Sequence, residues 1–160
     1  MKILQVAYKS EISGGERVLL DLTKHLKSRG HHLLVACPSY GPLVEVLRGE
    51  GIGGKIIPVR KTYDLMAALQ LRNLILRERV QILHTHGMLV NILGRIASQM
   101  AHVPVSISTV HLTRELAGGA RAENIRQWLK GKYYRSLDNF SVRFNDRVIA
   151  VSESVKRDLV

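Results

Sequence analysis

The sequence predicts an α/β chain built on a doubly wound, mostly parallel sheet, Rossmann-like in architecture. Three observations carry that prediction. Six short apolar runs of strand length alternate with stretches of helical spacing along the 160 residues. The runs are continuously apolar instead of alternating, which is how strands covered on both faces read. Regular helix-bearing crossovers, right-handed by the usual rule, then join parallel neighbours.

The first strand is predicted at 2–8, around Ile3-Leu4-Gln5-Val6-Ala7. After it, Ser13-Gly14-Gly15-Glu16 opens a helix with Leu19, Leu22 and Leu26 on one face. That helix ends at Lys27-Ser28-Arg29-Gly30, cations in the last turn followed by a glycine. Strands follow at 32–37 and 55–59, with Pro38 and Pro58 at their edges. A fourth at 81–85 leads into a helix carrying Leu89, Leu93, Ile96, Ala97 and Met100 at helical spacing. Pro104 precedes the fifth, 105–110, and the sixth is 147–151, with a last helix beginning at Ser152. Between the last two strands, 113–122 with Gly118-Gly119 reads as a long mobile loop.

A chain of this length folds around one core. Its 46% apolar and 23% charged residues exclude a disordered or fibrous class. The single cysteine, Cys37, excludes an intrachain disulfide and suits a reducing compartment. The first apolar run is too short for a signal peptide, and no run approaches the ~18 residues of a spanning helix. The prediction is a cytoplasmic chain that does not cross a membrane. The sequon Asn139-Phe140-Ser141 has no consequence there. Twenty-four Lys and Arg against 13 Asp and Glu leave a net charge of +11. Such a surface attracts nucleic acid, an anionic membrane or a phosphorylated small molecule, and charge alone does not choose among them.

Ligands of open α/β sheets bind outside the carboxyl ends of the strands. The residues expected on that edge are 9–15, 38–41, His86-Gly87, His111 onward and Ser152-Glu153. Gly14 and Gly15 at a helix start let backbone amides approach an anion. The same Ser13 and Glu16 also spell a capping box, and the two readings are compatible. The turn is neither GxGxxG nor a Walker loop, which argues against a dinucleotide or P-loop site.

His84 and His86 share one strand face by the period of two. No carboxylate or cysteine accompanies them at ligand spacing, so hydrogen-bonded imidazoles are expected and no metal site. His111 ends the fifth strand at the same edge and is the histidine placed for a ligand. His25, His31, His32 and His102 are expected in solvent at helices or their ends. Segment 121–147 interleaves Arg126, Lys130, Lys132, Arg135 and Arg143 with Trp128, Tyr133, Tyr134 and Phe140. It reads either as a dock for an anionic surface or as an amphipathic helix with Ile125, Trp128, Leu129 and Leu137 on its apolar face.

Three blocks combine into a larger pattern. The first is Ser13-Gly14-Gly15-Glu16-Arg17-Val18 with Leu26 through Gly30-His31. The second runs Ile82-Leu83-His84-Thr85-His86-Gly87, then Gly94-Arg95, Val103-Pro104-Val105 and Thr109-Val110-His111. The third is Asp146-Arg147-Val148-Ile149-Ala150-Val151-Ser152-Glu153. In this order, over nearly the whole chain, they resemble the N-terminal domain of the retaining GT-B glycosyltransferases of family four. The glycine turn is one residue shorter than the common Gly-Gly-Ala-Glu-Arg form.

The resemblance implies that 1–160 is one half of a GT-B fold, the acceptor-side domain, with the C-terminal nucleotide-sugar domain absent after Val160. It implies transfer of a sugar from a nucleotide diphosphate sugar to an acceptor hydroxyl with retention, without an obligatory metal or other cofactor. His111 would be the catalytic histidine beside the donor sugar. Gly14 and Gly15 would approach the diphosphate and acceptor, with His86, Ser152 and Glu153 as further substrate-binding residues. The implied partners are the nucleotide sugar, a glycan or lipid-linked acceptor such as lipopolysaccharide, the C-terminal domain and an anionic membrane at its inner face. The alternative is a non-catalytic acceptor-binding module or subunit of a split transferase. Nucleic acid is not expected, because no helix-turn-helix, RNA-recognition or zinc-finger pattern appears.

Overall fold

The structure is a computed structural model and describes residues 1–59, 64–111 and 125–159. In chain order its elements are β1 (Lys2–Val6), α1 (Gly14–Ser28), β2 (His32–Cys37), α2 (Pro42–Gly49), β3 (Gly53–Ile56), α3 (Leu65–Glu78) and β4 (Ile82–His86). They continue with α4 (Met88–Ala101), β5 (Val105–Val110), α5 (Ile125–Ser141), a single 3₁₀ turn (Val142–Phe144), β6 (Arg147–Ala150) and α6 (Glu153–Leu159). The expected loop at 113–122 lies outside the described residues.

Six strands form one sheet in the order β3-β2-β1-β4-β5-β6, every neighbouring pair parallel. The doubly wound parallel sheet is therefore what the continuous apolar runs predicted. From β1 the chain winds outward through β2 and β3, returns to lay β4 against the other side of β1, and winds outward again. The strand order reverses at the β1–β4 seam, the place where such sheets open a crevice.

Alternation along β1 sends Ile3 and Ala7 to one face, where they pack with Leu19 and Leu20 of α1 and Leu43 and Leu47 of α2. Leu4 and Val6 go to the other, against Leu71 and Ile75 of α3 and Leu93 and Ala97 of α4. Gln5 shares the α1 face, and its register with His84 puts His84 and His86 there too.

Two contacts fix α4 to the sheet. A Cβ added at Gly94 would lie 2.3 Å from the Thr85 methyl, so only glycine lets the helix come this close. One residue on, the fully buried Arg95 donates from Nε to Ser108 Oγ at 3.1 Å and from Nη1 to Asp138 Oδ1 at 2.6 Å and Ser141 Oγ at 3.2 Å. That guanidinium ties α4, β5 and α5 together and satisfies its own buried charge. At the start of α3, Asp64 Oδ1 accepts from the Ala67 amide at 3.1 Å, an N-cap.

Several boundaries differ from expectation. β3 begins at Gly53, two residues before the predicted run, because pairing with Leu34 and Val35 recruits two glycines with no side chain to announce a strand. β4 extends to His86, so that histidine ends the strand instead of following it. The helix predicted in 121–147 is present, but Ile125 (67% exposed), Trp128 (46%) and Leu129 face solvent. α5 is held through its far end, by Asp138 and Ser141, so the expected apolar face does not seat it.

Candidate functional site

The carboxyl edge of the β1–β4 seam gathers the start of α1 and the ends of β4 and β5. Ser13 is extended, but the predicted capping box does not form. Its hydroxyl donates to the Glu16 carboxylate, and no side chain among the described residues caps the first amides of α1. Serine and glutamate three residues apart satisfy each other, and this pairing keeps Glu16 buried. The helix start is left open toward the rim.

Neither Gly14 nor Gly15 has the positive φ that demands glycine. A Cβ at Gly14 would meet nothing within 4 Å, and one at Gly15 would make ordinary contact, 3.6 Å, with the His111 ring. Glycine in a helix costs about 1 kcal/mol relative to alanine. Among the described residues nothing calls for that cost.

Gly87 is a different case. With φ at 108° and a Cβ position 3.0 Å from Tyr8 Cβ, it lets the loop after β1 close onto the end of β4.

The rings of His84 and His86 lie 4.2 Å apart on the shared face, and His86 stacks on His111 at 5.8 Å with 28° between planes. His84 Nε2 and Thr109 Oγ1 are 2.7 Å apart. His86 Nε2 donates to Gln5 Oε1 at 3.0 Å, which leaves its Nδ1 as the bare nitrogen. Burial pushes the His84 pKa down to about 4 and that of His86 to about 2, their neighbouring imidazoles adding to the effect. His111 is also lowered, by burial, while the Glu16 carboxylate pulls it the other way. The cluster is neutral at pH 7, a set of hydrogen-bonding rings with no fixed charge.

Four of its buried polar atoms have no partner among the described residues: Gln5 Nε2, His86 Nδ1, Asn91 Oδ1 and His111 Nε2. Such orphans concentrate where a ligand or water completes the site. No three His, Cys, Asp or Glu side chains among the described residues come together to hold a metal ion.

Of the residues predicted for the site, the structure brings Gly15, His86 and His111 together, with Gly14 beside them. Ser152 and Glu153 share the rim but follow β6, two strands beyond β4 and so about 10 Å away along the edge. Ser152 Oγ accepts from the Val155 amide at 3.2 Å, capping α6, and Glu153 is exposed 3.7 Å from Lys156. His25, His32 and His102 are exposed, as expected, although His32 opens β2 and does not belong to a helix.

Gln5, Glu16 and Asn91 were missed as members of the cluster. Gln5 carried the clearest signal, one amide in the middle of an apolar central strand. Away from this edge, α5 carries Lys132 Nζ over the Trp128 ring at 4.1 Å, and Arg143 caps Phe140 at 4.6 Å.

A sequence model described as Glycosyltransferase Family 4 matches residues 12–160. An Escherichia coli UDP-Gal:alpha-D-GlcNAc-diphosphoundecaprenol alpha-1,3-galactosyltransferase is 27% identical over 98% of this chain and 40% of its own length. Among solved structures, Anabaena HepE in complex with UDP-glucose superposes with a TM-score of 0.74 at 20% identity, over 99% of this chain and 39% of that one. A glycosyltransferase from Rickettsia africae gives 0.66 at 26% identity, over 99% and 38%. The chain thus spans about 40% of the length of the curated relative.

Proposed function

The chain belongs to Glycosyltransferase Family 4, and from that premise we propose that it forms the N-terminal, acceptor-side part of an enzyme moving a sugar from a nucleotide diphosphate sugar to an acceptor hydroxyl with retention. The observation that carries this reading is the placement of the His111 ring beside the uncapped start of α1, where a Cβ on Gly15 would stand 3.6 Å from it.

In this reading the donor diphosphate sits before the open amides of α1, where partial positive charge and two missing side chains receive it. His111 faces the sugar and positions a hydroxyl or offsets developing charge through its unpartnered Nε2. The bond from the anomeric carbon to the diphosphate oxygen breaks as the bond to the acceptor oxygen forms. The acceptor's proton passes to the leaving phosphate on the same face, so no protein base or obligatory metal is needed.

The E. coli relative's name specifies a diphosphoundecaprenol acceptor, and a lipid-linked acceptor is the one proposed here. The net charge of +11 supports peripheral attachment to an anionic membrane face at about 1 kcal/mol per basic residue near the surface. No helix among the described residues is long and apolar enough to cross a membrane.

The test is His111→Ala in the full-length enzyme. Turnover is expected to fall about 10²-fold, the scale of one lost transition-state partner, with little change in melting temperature. Unchanged turnover would remove His111 from the site. Residues 1–160 alone are expected to release no nucleoside diphosphate from a nucleotide sugar, and steady release would refute the two-domain assignment.

A further inference from the structure

We propose that His86, oriented by Gln5, is a positioning residue that sets the orientation of the His111 ring at the start of α1 and acts on the reaction through His111 without touching the substrate. The inference deepens the transfer reading and rests on it for the catalytic part alone.

His86 is 3% exposed and Gln5 0%, so their unpartnered Nδ1 and Nε2 are enclosed atoms of the kind a buried water satisfies, and the sugar is left to His111. What His86 presents is the face of its ring, stacked on His111. The start of α1 is the ring's other neighbour: a Cβ built on Gly15 would stand 3.6 Å from three atoms of the same imidazole, so the bare glycine leaves about a methyl's space beside it. The direction in which Nε2 points is therefore set from the His86 side, by the stacked ring.

The hydrogen bond from His86 Nε2 to Gln5 Oε1 sets the tilt of the platform from the central strand, the most constrained part of the sheet. Gln5 is the one amide side chain in β1, and its Oε1 is spent on holding His86. Among the described residues the titratable groups around His111 are Glu16 from α1 and His84 and His86 from β4. An uncharged platform matters because a cationic His86 would oppose any positive charge on His111.

The experiment follows the imidazole ¹⁵N resonances of the labelled chain together with kinetics of the full-length enzyme. In His86→Ala, the His111 resonances and titration midpoint are expected to move, the midpoint by about half a pH unit. In the enzyme the same change is expected to lower kcat by about tenfold with KM nearly constant, the signature of a misplaced reacting group. The double variant Gln5→Leu/His86→Phe, which restores a flat ring and leaves no amide orphaned, is expected to recover most of both. Gln5→Met gives a second reading should His86→Ala fail to fold, with the same direction and a smaller shift.

His111 resonances indifferent to these changes would overturn the proposal. So would a raised KM at constant kcat, which would place His86 on the substrate. An inert His111→Ala would instead sink the transfer reading while leaving the resonance coupling intact.

Discussion

Buried neutral imidazoles make the domain acid-sensitive, and the sign follows from where the protons go. His84 and His86 titrate below their ordinary 6.5 in the folded chain, at about 4 and about 2. Between those values and 6.5 the unfolded state binds the protons and the folded state does not, so stability falls as pH falls. The contribution is complete above about pH 6.5 and declines by up to about 1.4 kcal/mol per pH unit for each histidine below it. Thermal unfolding at pH 7, 6, 5 and 4 should show that decline, and His84→Asn should flatten part of it. A profile level from 7 to 4 would mean that the imidazoles are not held neutral.

At this scale the sequence was readable where chemistry sits at a chain landmark. His111 after a strand and Gly14-Gly15 at a helix start could be placed, and the period of two put His84 and His86 on one face. It failed where one residue offers two partners: Ser13 and Glu16 bond each other, and the backbone cap expected of them goes unmade. Gln5 was hidden inside an apolar run, because burial of an amide has no spacing rule.

Among the elements, α4 bears the tightest constraints. Gly94→Ala would force a Cβ into the Thr85 methyl and should destabilise the domain by about 1–3 kcal/mol. Asp138→Ala would strand the Arg95 guanidinium in the interior and should cost about 3–5 kcal/mol, measured by urea denaturation. An Arg95→Met/Asp138→Leu pair, with no charge left to bury, should recover much of that loss. If Asp138→Ala were neutral, the three-way tie between α4, β5 and α5 would carry no weight.

Helix and strand identities were legible because apolar runs and helical faces differ in period. β3 was shifted because Gly53 and Gly54 pair through backbone alone. α5 misled for the opposite reason: its apolar residues have helical spacing yet point outward, and it is anchored by polar groups that spacing does not reveal.

For the whole molecule, 24 Lys and Arg stand against 13 Asp and Glu, and the proposed membrane attachment rests on that excess. Binding of the chain to vesicles containing anionic lipid should weaken steeply between 50 and 300 mM salt, as screened attraction does, with cosedimentation as the measure. Binding that ignored salt, or none at all, would separate the charge from membrane attachment. The fold class was legible at this scale from the alternation of elements, whereas the order of the strands was not, because right-handed crossovers are compatible with several orders.

The seam between β1 and β4 has a further consequence, for how the domain comes into being. Gln5 and Gly15 are made early, His86 and His111 some 70 to 100 residues later, and only closure of that long loop joins them. The layer of α3 and α4 packs on Leu4 and Val6 of β1 as well as on Leu83 of β4, so it too spans both flanks, and neither flank alone holds all four residues. The rim cluster is therefore complete only when β1 and β4 pair and unite the two flanks.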